Sequence, residues 1–211
     1  MESLALSVIV VTTVVGTMLH LSRTGGRFRL PVASFAVAMA TSAISVVGNL
    51  SPAVLDSLGR DRPLLLAGEW WRLVTPLFVQ DGGWPGTIFN ITSLVAIGLC
   101  AESLHRASTF LGTYFAAGLV SELFAYTLLQ HQGFAGNSVA TMGVAALCLV
   151  TVCAARVLPA RLIALDGLLT GVVLVVAANL HGVGFTVGAL IGLALWVSGR
   201  RKGRQGTRPQ A

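Results

Sequence analysis

Charge is scarce in this chain. Of its 211 residues, 10% are Asp, Glu, Lys or Arg, and only eight are acidic. A soluble domain carries about 25% charged residues. So few cannot cover a water-facing surface, which excludes a soluble globular enzyme. The 55% hydrophobic content and mean hydropathy of +0.81 equally exclude a disordered chain. Three cysteines, Cys100, Cys148 and Cys153, are too few and odd in number for a disulfide scaffold. They lie in apolar segments without metal-ligand spacing and read as small buried hydrophobes. No cofactor and no metal are expected. The formal charge of +6 and pI of about 10.3 invite a nucleic-acid reading, yet no nucleic-acid motif accompanies them. The first apolar block also lacks a basic n-region and an A-x-A cleavage site, so it reads as a retained helix.

What is present is apolar length. Blocks run over 3–21, 32–50, 87–104, 107–129, 138–155, 162–178 and 181–198. Each approaches the ~20 residues that cross ~30 Å of hydrocarbon as a helix. A barrel would alternate instead. The expected fold is therefore an all-α, polytopic membrane bundle of seven helices. Residues 1–29 form a first span with its following loop, 30–198 the main membrane domain, and 199–211 a basic tail. Segment 51–85 is the one long loop. Its Trp70-Trp71-Arg72-Leu73-Val74 stretch suits an amphipathic element at the bilayer interface.

Basic residues orient the bundle. Arg23, Arg27, Arg29, Arg106, Arg156, Arg161, Arg200, Arg201, Lys202, Arg204 and Arg208 fall on one side, and only Arg60, Arg62 and Arg72 on the other. The positive-inside rule then puts the N-terminus outside and the C-terminus in the cytoplasm. The basic tail is expected to touch anionic lipid rather than nucleic acid.

Polar side chains inside spans are costly and point to function. Asn90, Ser138 and His181 all fall near the outer ends of spans that run the same way, so a rise of about 1.5 Å per residue places them in one layer. A hydroxyl and an imidazole at one depth suit acyl transfer, the histidine acting as base for a weak nucleophile. The free N–H groups at the first turn of the serine's helix would face a developing oxyanion. Gly136 is expected to permit an unusual backbone angle before Ser138. Gly184, Gly188 and Gly192 repeat every four residues beside His181 and let another helix approach closely. Glu122 and Asp166 motivate a different class, a small transporter or channel, although no symmetric pair of broken helices is visible.

From about Trp71 to Leu195 the chain resembles the rhomboid intramembrane serine proteases. Trp71-Arg72 with Thr75 resembles that family's W-R-x-x-T. Asn90, Gly98 and Glu102 resemble its N…G…E pattern. Gly136-Asn137-Ser138-Val139-Ala140-Thr141-Met142-Gly143 resembles its G-x-S-G-A-x-x-G, and His181 through Gly184 to Gly188 its H-x-x-G-x-x-x-G. The resemblance implies a six-helix core preceded by one extra span. It makes Ser138 the nucleophile and His181 its base, in a dyad without an acidic third member. Asn90 becomes an oxyanion donor, and Trp71, Arg72 and Glu102 become structural. The substrates implied are membrane segments of other proteins, single-span ones foremost. Three positions depart from the pattern. Gly86 stands where a donor histidine belongs. Val139 replaces a glycine, and its branched side chain would hold the serine helix away from the histidine helix. Met142 replaces an aromatic. These departures motivate the alternative of a rhomboid-like pseudoprotease that binds transmembrane clients without cutting them.

Overall fold

The computed structural model describes residues 2–128 and 136–205, with side chains described as far as Arg201. The remainder of the basic tail, including Arg208, lies outside the described residues. No strand occurs among them. Seven long helices carry the fold: α1 (Glu2–Thr24), α2 (Val32–Leu50), α5 (Gly83–Leu104), α6 (Ala107–Leu128), α7 (Ser138–Ala154), α8 (Leu158–Val176) and α9 (Leu180–Gln205). Two short helices, α3 (Pro52–Leu58) and α4 (Arg62–Leu66), and 3₁₀ segments at Trp70–Leu73 and Thr75–Phe78 occupy the long loop.

Five of the long helices, α1, α2, α5, α8 and α9, are long and apolar enough to cross a membrane. The other two explain themselves by position. Helix α7 has only 17 residues, and twelve of them are buried. It is walled in by α9, α6, α8, α5 and α1, so it meets protein rather than lipid. Helix α6 has the length, but turns Thr113, Tyr114, Ser121, Glu122 and Tyr126 inward. On α8, by contrast, Leu162, Leu169, Val172, Val173 and Val176 stand exposed as an apolar face, which suits hydrocarbon.

Between apolar helices in lipid, close packing replaces the hydrophobic drive. The α7–α9 seam shows this most plainly. A Cβ on Gly188 would overlap the Gly143 carbonyl oxygen, and one on Gly184 would overlap the Val139 carbonyl oxygen. Backbone therefore meets backbone at both positions. Val139 is buried and does not hold the helices apart. Its backbone carbonyl lies against Gly184 of α9.

The long loop is a folded structure tied to the bundle, not a simple interface-lying segment. Arg60 grips Glu122 of α6 through Nε to Oε2 and Nη2 to Oε1, both at 2.7 Å. Arg62 Nε donates to the Tyr126 carbonyl at 3.0 Å, and the Tyr126 hydroxyl donates to the Arg72 carbonyl at 2.8 Å. Glu122 is thus spent on anchoring this loop, which removes the main support for a transport pathway. Arg72 is buried and donates to the Asp56 and Gly59 carbonyls and to Glu69. Trp71 Nε1 and the Thr75 hydroxyl donate to the Ser57 and Leu58 carbonyls. These three residues staple the loop to itself, while the rings of Trp70 and Trp71 remain outside.

At the opposite end of the bundle, Glu102 caps α2. Its carboxylate accepts from Ala33 N at 3.1 Å, Ser34 N at 2.7 Å and Ser34 Oγ at 2.7 Å. Pro31 precedes α2 and offers no side-chain cap, so an acid from a neighbouring helix meets the free N–H groups and the positive end of the dipole. Gly98 lets α5 come close enough for this, since a Cβ there would strike Ser34.

Candidate active site

The site begins with a turn. After Val176 the N–H groups of Ala178 and Asn179 return to the carbonyls of Val175 and Leu174. This paired closure is a Schellman motif. It requires a left-handed residue, here Ala178 at φ 52°. The turn is so tight that a Cβ on Gly182 would lie 2.7 Å from Val175 N. Asn179 then starts α9. Its Oδ1 accepts from the His181 backbone N–H at 2.8 Å, an N-cap bond, and lies 2.8 Å from His181 Nδ1.

His181 Nε2 lies 2.8 Å from Ser138 Oγ. Ser138 is the first residue of α7, and the glycine seam brings α7 and α9 together so that the pair meets. A second oxygen, Glu2 Oε1 from the start of α1, lies 3.0 Å from His181 Nδ1. A carboxylate only accepts hydrogen bonds. With Asn179 Oδ1 and Glu2 Oε1 both at Nδ1, that nitrogen carries the proton in neutral imidazole. Nε2 then offers its lone pair to the Ser138 hydroxyl, as a base must. The resemblance implied no acid at the histidine; the structure has one there.

Asn90 joins the site indirectly. Its Nδ2 donates to Gln80 Oε1 at 2.6 Å, and Gln80 Nε2 donates to Asn137 Oδ1 at 3.2 Å. Gln80 and Asn137 are both buried. Asn137 Nδ2 has no hydrogen-bond partner among the described residues, which leaves a donor without an acceptor one residue before Ser138. Buried polar groups are rarely left so. The Gly136 N–H donates to the Pro76 carbonyl at 2.9 Å, tying the serine segment to the loop. A Cβ on Gly86 would meet nothing within 4 Å, so the position where the family resemblance implies a histidine is open space. Met142 is buried in the core of the bundle.

Sequence reasoning thus singled out Ser138, His181 and Asn90, and missed Glu2, Gln80, Asn137 and Asn179 as members of the site. Asn179 was readable, being an asparagine just before an apolar helix. Glu2 was not, because its contact depends on where α1 docks. Chemically, the arrangement holds a hydroxyl against an oriented base at the N-terminus of a buried helix, with first-turn N–H groups that lack intrahelical acceptors. That is the equipment for acyl transfer.

Comparison with known proteins agrees. A family model described as the rhomboid domain matches residues 67–198, more than half of the chain. "Rhomboid protease GluP" of Bacillus subtilis (strain 168) is 28% identical over 141 residues, covering 66% of this chain and 26% of that protein. "Putative rhomboid protease YdcA" of the same organism is 28% identical over 81 residues, covering 36% of this chain and 40% of that protein. The chain therefore spans well under half the length of either relative.

Proposed function

The chain belongs to the rhomboid family, and we propose that it is an intramembrane serine protease in which Ser138 is the nucleophile and His181 the general base. The single observation that carries this is the 2.8 Å contact between Ser138 Oγ and His181 Nε2. In the reaction, the Ser138 hydroxyl proton passes to Nε2 as the Oγ–C bond forms at the scissile carbonyl. The oxyanion is met by first-turn N–H groups of α7 and by Asn90, whose amide has a second N–H beyond the one given to Gln80. Collapse breaks the C–N bond, and the proton on Nε2 goes to the leaving amine. Water then attacks the acyl-serine, giving its proton to the same nitrogen, and Ser138 takes that proton back as the acid product leaves.

The substrates are transmembrane segments of other membrane proteins, single-span ones foremost, entering from the bilayer. The loop with Arg60, Arg62 and Arg72 lies at the Ser138 end of the bundle, so the split of basic residues supports an outward-facing site, with the N-terminus outside and the C-terminus in the cytoplasm. Residues 30–198 form the protease domain, to which α1 is an addition.

A second reading is a family member that binds transmembrane clients without cutting them. The open space at Gly86, where an oxyanion donor is missing, favours it. Co-expression with single-span reporter proteins separates the two. Cleavage that disappears in Ser138→Ala supports the protease. Equal cleavage in both, or none with any reporter while client helices are captured alike by wild type and Ser138→Ala, supports the binder.

A further inference from the structure

We propose that Glu2 on α1 is a positioning residue for His181, an acidic third partner that orients the imidazole and stabilises it when it takes the serine proton. The proposal rests on the protease reading above and adds a role for α1, which lies outside the matched residues 67–198.

Two independent observations carry it. The first is the contact, with Glu2 Oε1 at 3.0 Å from His181 Nδ1. The second is the register of α1. Helix α1 runs antiparallel to α8 and is locked to it by small residues. A Cβ on Gly167 would strike Thr12 Oγ1, and one on Gly16 would sit 3.7 Å from the Ala160 carbonyl oxygen. Ile9 is fully buried. From Thr12 back to Glu2 is about 15 Å of helix, and from Gly167 forward to Val176 about 13.5 Å. Glu2 therefore arrives level with the turn that carries Asn179 and His181. It also faces the first turn of α9, where the helix dipole favours an anion.

The neighbouring charges leave this role to Glu2. On the helices packed against α9, Glu122 of α6 is engaged by Arg60. Helix α7 carries no Asp, Glu, Lys, Arg or His. On α8, Asp166 lies about 15 Å and Arg161 about 22 Å of helix from the Val176 end. On α1, His20 and Arg23 lie at the opposite end.

The division of labour follows from geometry. Asn179 Oδ1 alone keeps the proton on Nδ1, and Glu2 adds charge. Because the Glu2 side chain is 53% exposed, water screens it, and its loss costs about 3–10-fold in rate rather than the ~10⁴ of a buried acid whose loss also changes the tautomer. The test uses the 211-residue chain in detergent micelles, comparing wild type, Glu2→Gln and Glu2→Asp. Nitrogen-15 histidine NMR follows protonation of His181 with pH, and kcat and KM are measured across the same range. In Glu2→Gln the expected result is a 3–10-fold lower kcat with unchanged KM. The imidazolium then loses its carboxylate, so the acid limb of the rate profile and the NMR midpoint both move to lower pH. Glu2→Asp recovers part of each. A His181 titration identical in wild type and Glu2→Gln overturns the proposal, even if Ser138-dependent cleavage persists. Conversely, a shifted titration in a protein that cleaves nothing retains the Glu2 contact and removes the protease reading.

Discussion

Substituting Gly188 by alanine tests whether the α7–α9 seam sets the distance between base and nucleophile. The new Cβ would lie 2.5 Å from the Gly143 carbonyl carbon and 2.8 Å from its Cα, where ordinary contact begins at 3.4 Å. Both obstacles are backbone, so no rotamer change relieves them. The carbonyl carbon alone demands that the helices part by about 0.9 Å, the difference between 3.4 and 2.5 Å, and the Gly143 carbonyl oxygen, which the Cβ would overlap, demands more. His181 lies seven residues, about 10.5 Å, along the same helix. A rigid displacement of α9 carries it along and stretches the 2.8 Å contact to Ser138 Oγ to at least about 3.7 Å, outside hydrogen-bond range. Misplacement by about 1 Å costs about 10²-fold in rate, and overpacking costs about 1–3 kcal/mol of stability. The assay is cleavage of a single-span reporter in proteoliposomes, with thermal denaturation in detergent alongside. Gly199→Ala is the control. A Cβ there meets nothing within 4 Å, so rate is kept and stability holds or rises by up to about 1 kcal/mol. Wild-type cleavage by Gly188→Ala would refute the claim that this seam positions the pair.

Three further outcomes concern stability and are read by thermal denaturation in detergent. Glu122→Ala removes the carboxylate gripped by Arg60 and should cost about 3–5 kcal/mol, with the long loop becoming sensitive to protease. Glu102→Ala strips the cap from α2 and should cost about 2 kcal/mol, leaving the Ser138–His181 contact at the other end unchanged. Ala178→Gly relieves the left-handed alanine in the α8–α9 turn and should stabilise by about 1 kcal/mol with no loss of activity.

The bundle was legible because its causes are local. Apolar runs near 20 residues, separated by basic or Gly/Pro-containing segments, point to the helices of a membrane bundle. Ser138 and His181 were legible because helices entering from the same end put their first turns level, and the Gly184–Gly188 repeat marked the face that would meet α7. The close approach at Val139 is not legible in residue identity, because its backbone carbonyl makes the contact with Gly184. The bond from the Gly136 N–H to the Pro76 carbonyl is not legible, because it exists only once the loop is folded. The long loop hid its folding because Arg60 and Glu122 are 62 residues apart, and neither advertises the other. Glu2 hid for the same reason, since its partner is set by how α1 seats on α8. The Gln80 link between Asn90 and Asn137 likewise exists only once the loop is folded.

The central claim is that His181 activates Ser138. Labelling of membranes with a fluorophosphonate probe tests it most directly, because the probe reports nucleophilicity without a known substrate. The account predicts label on wild type, none on Ser138→Ala, and label reduced to background on His181→Ala. Labelling of wild type no stronger than of Ser138→Ala would contradict it.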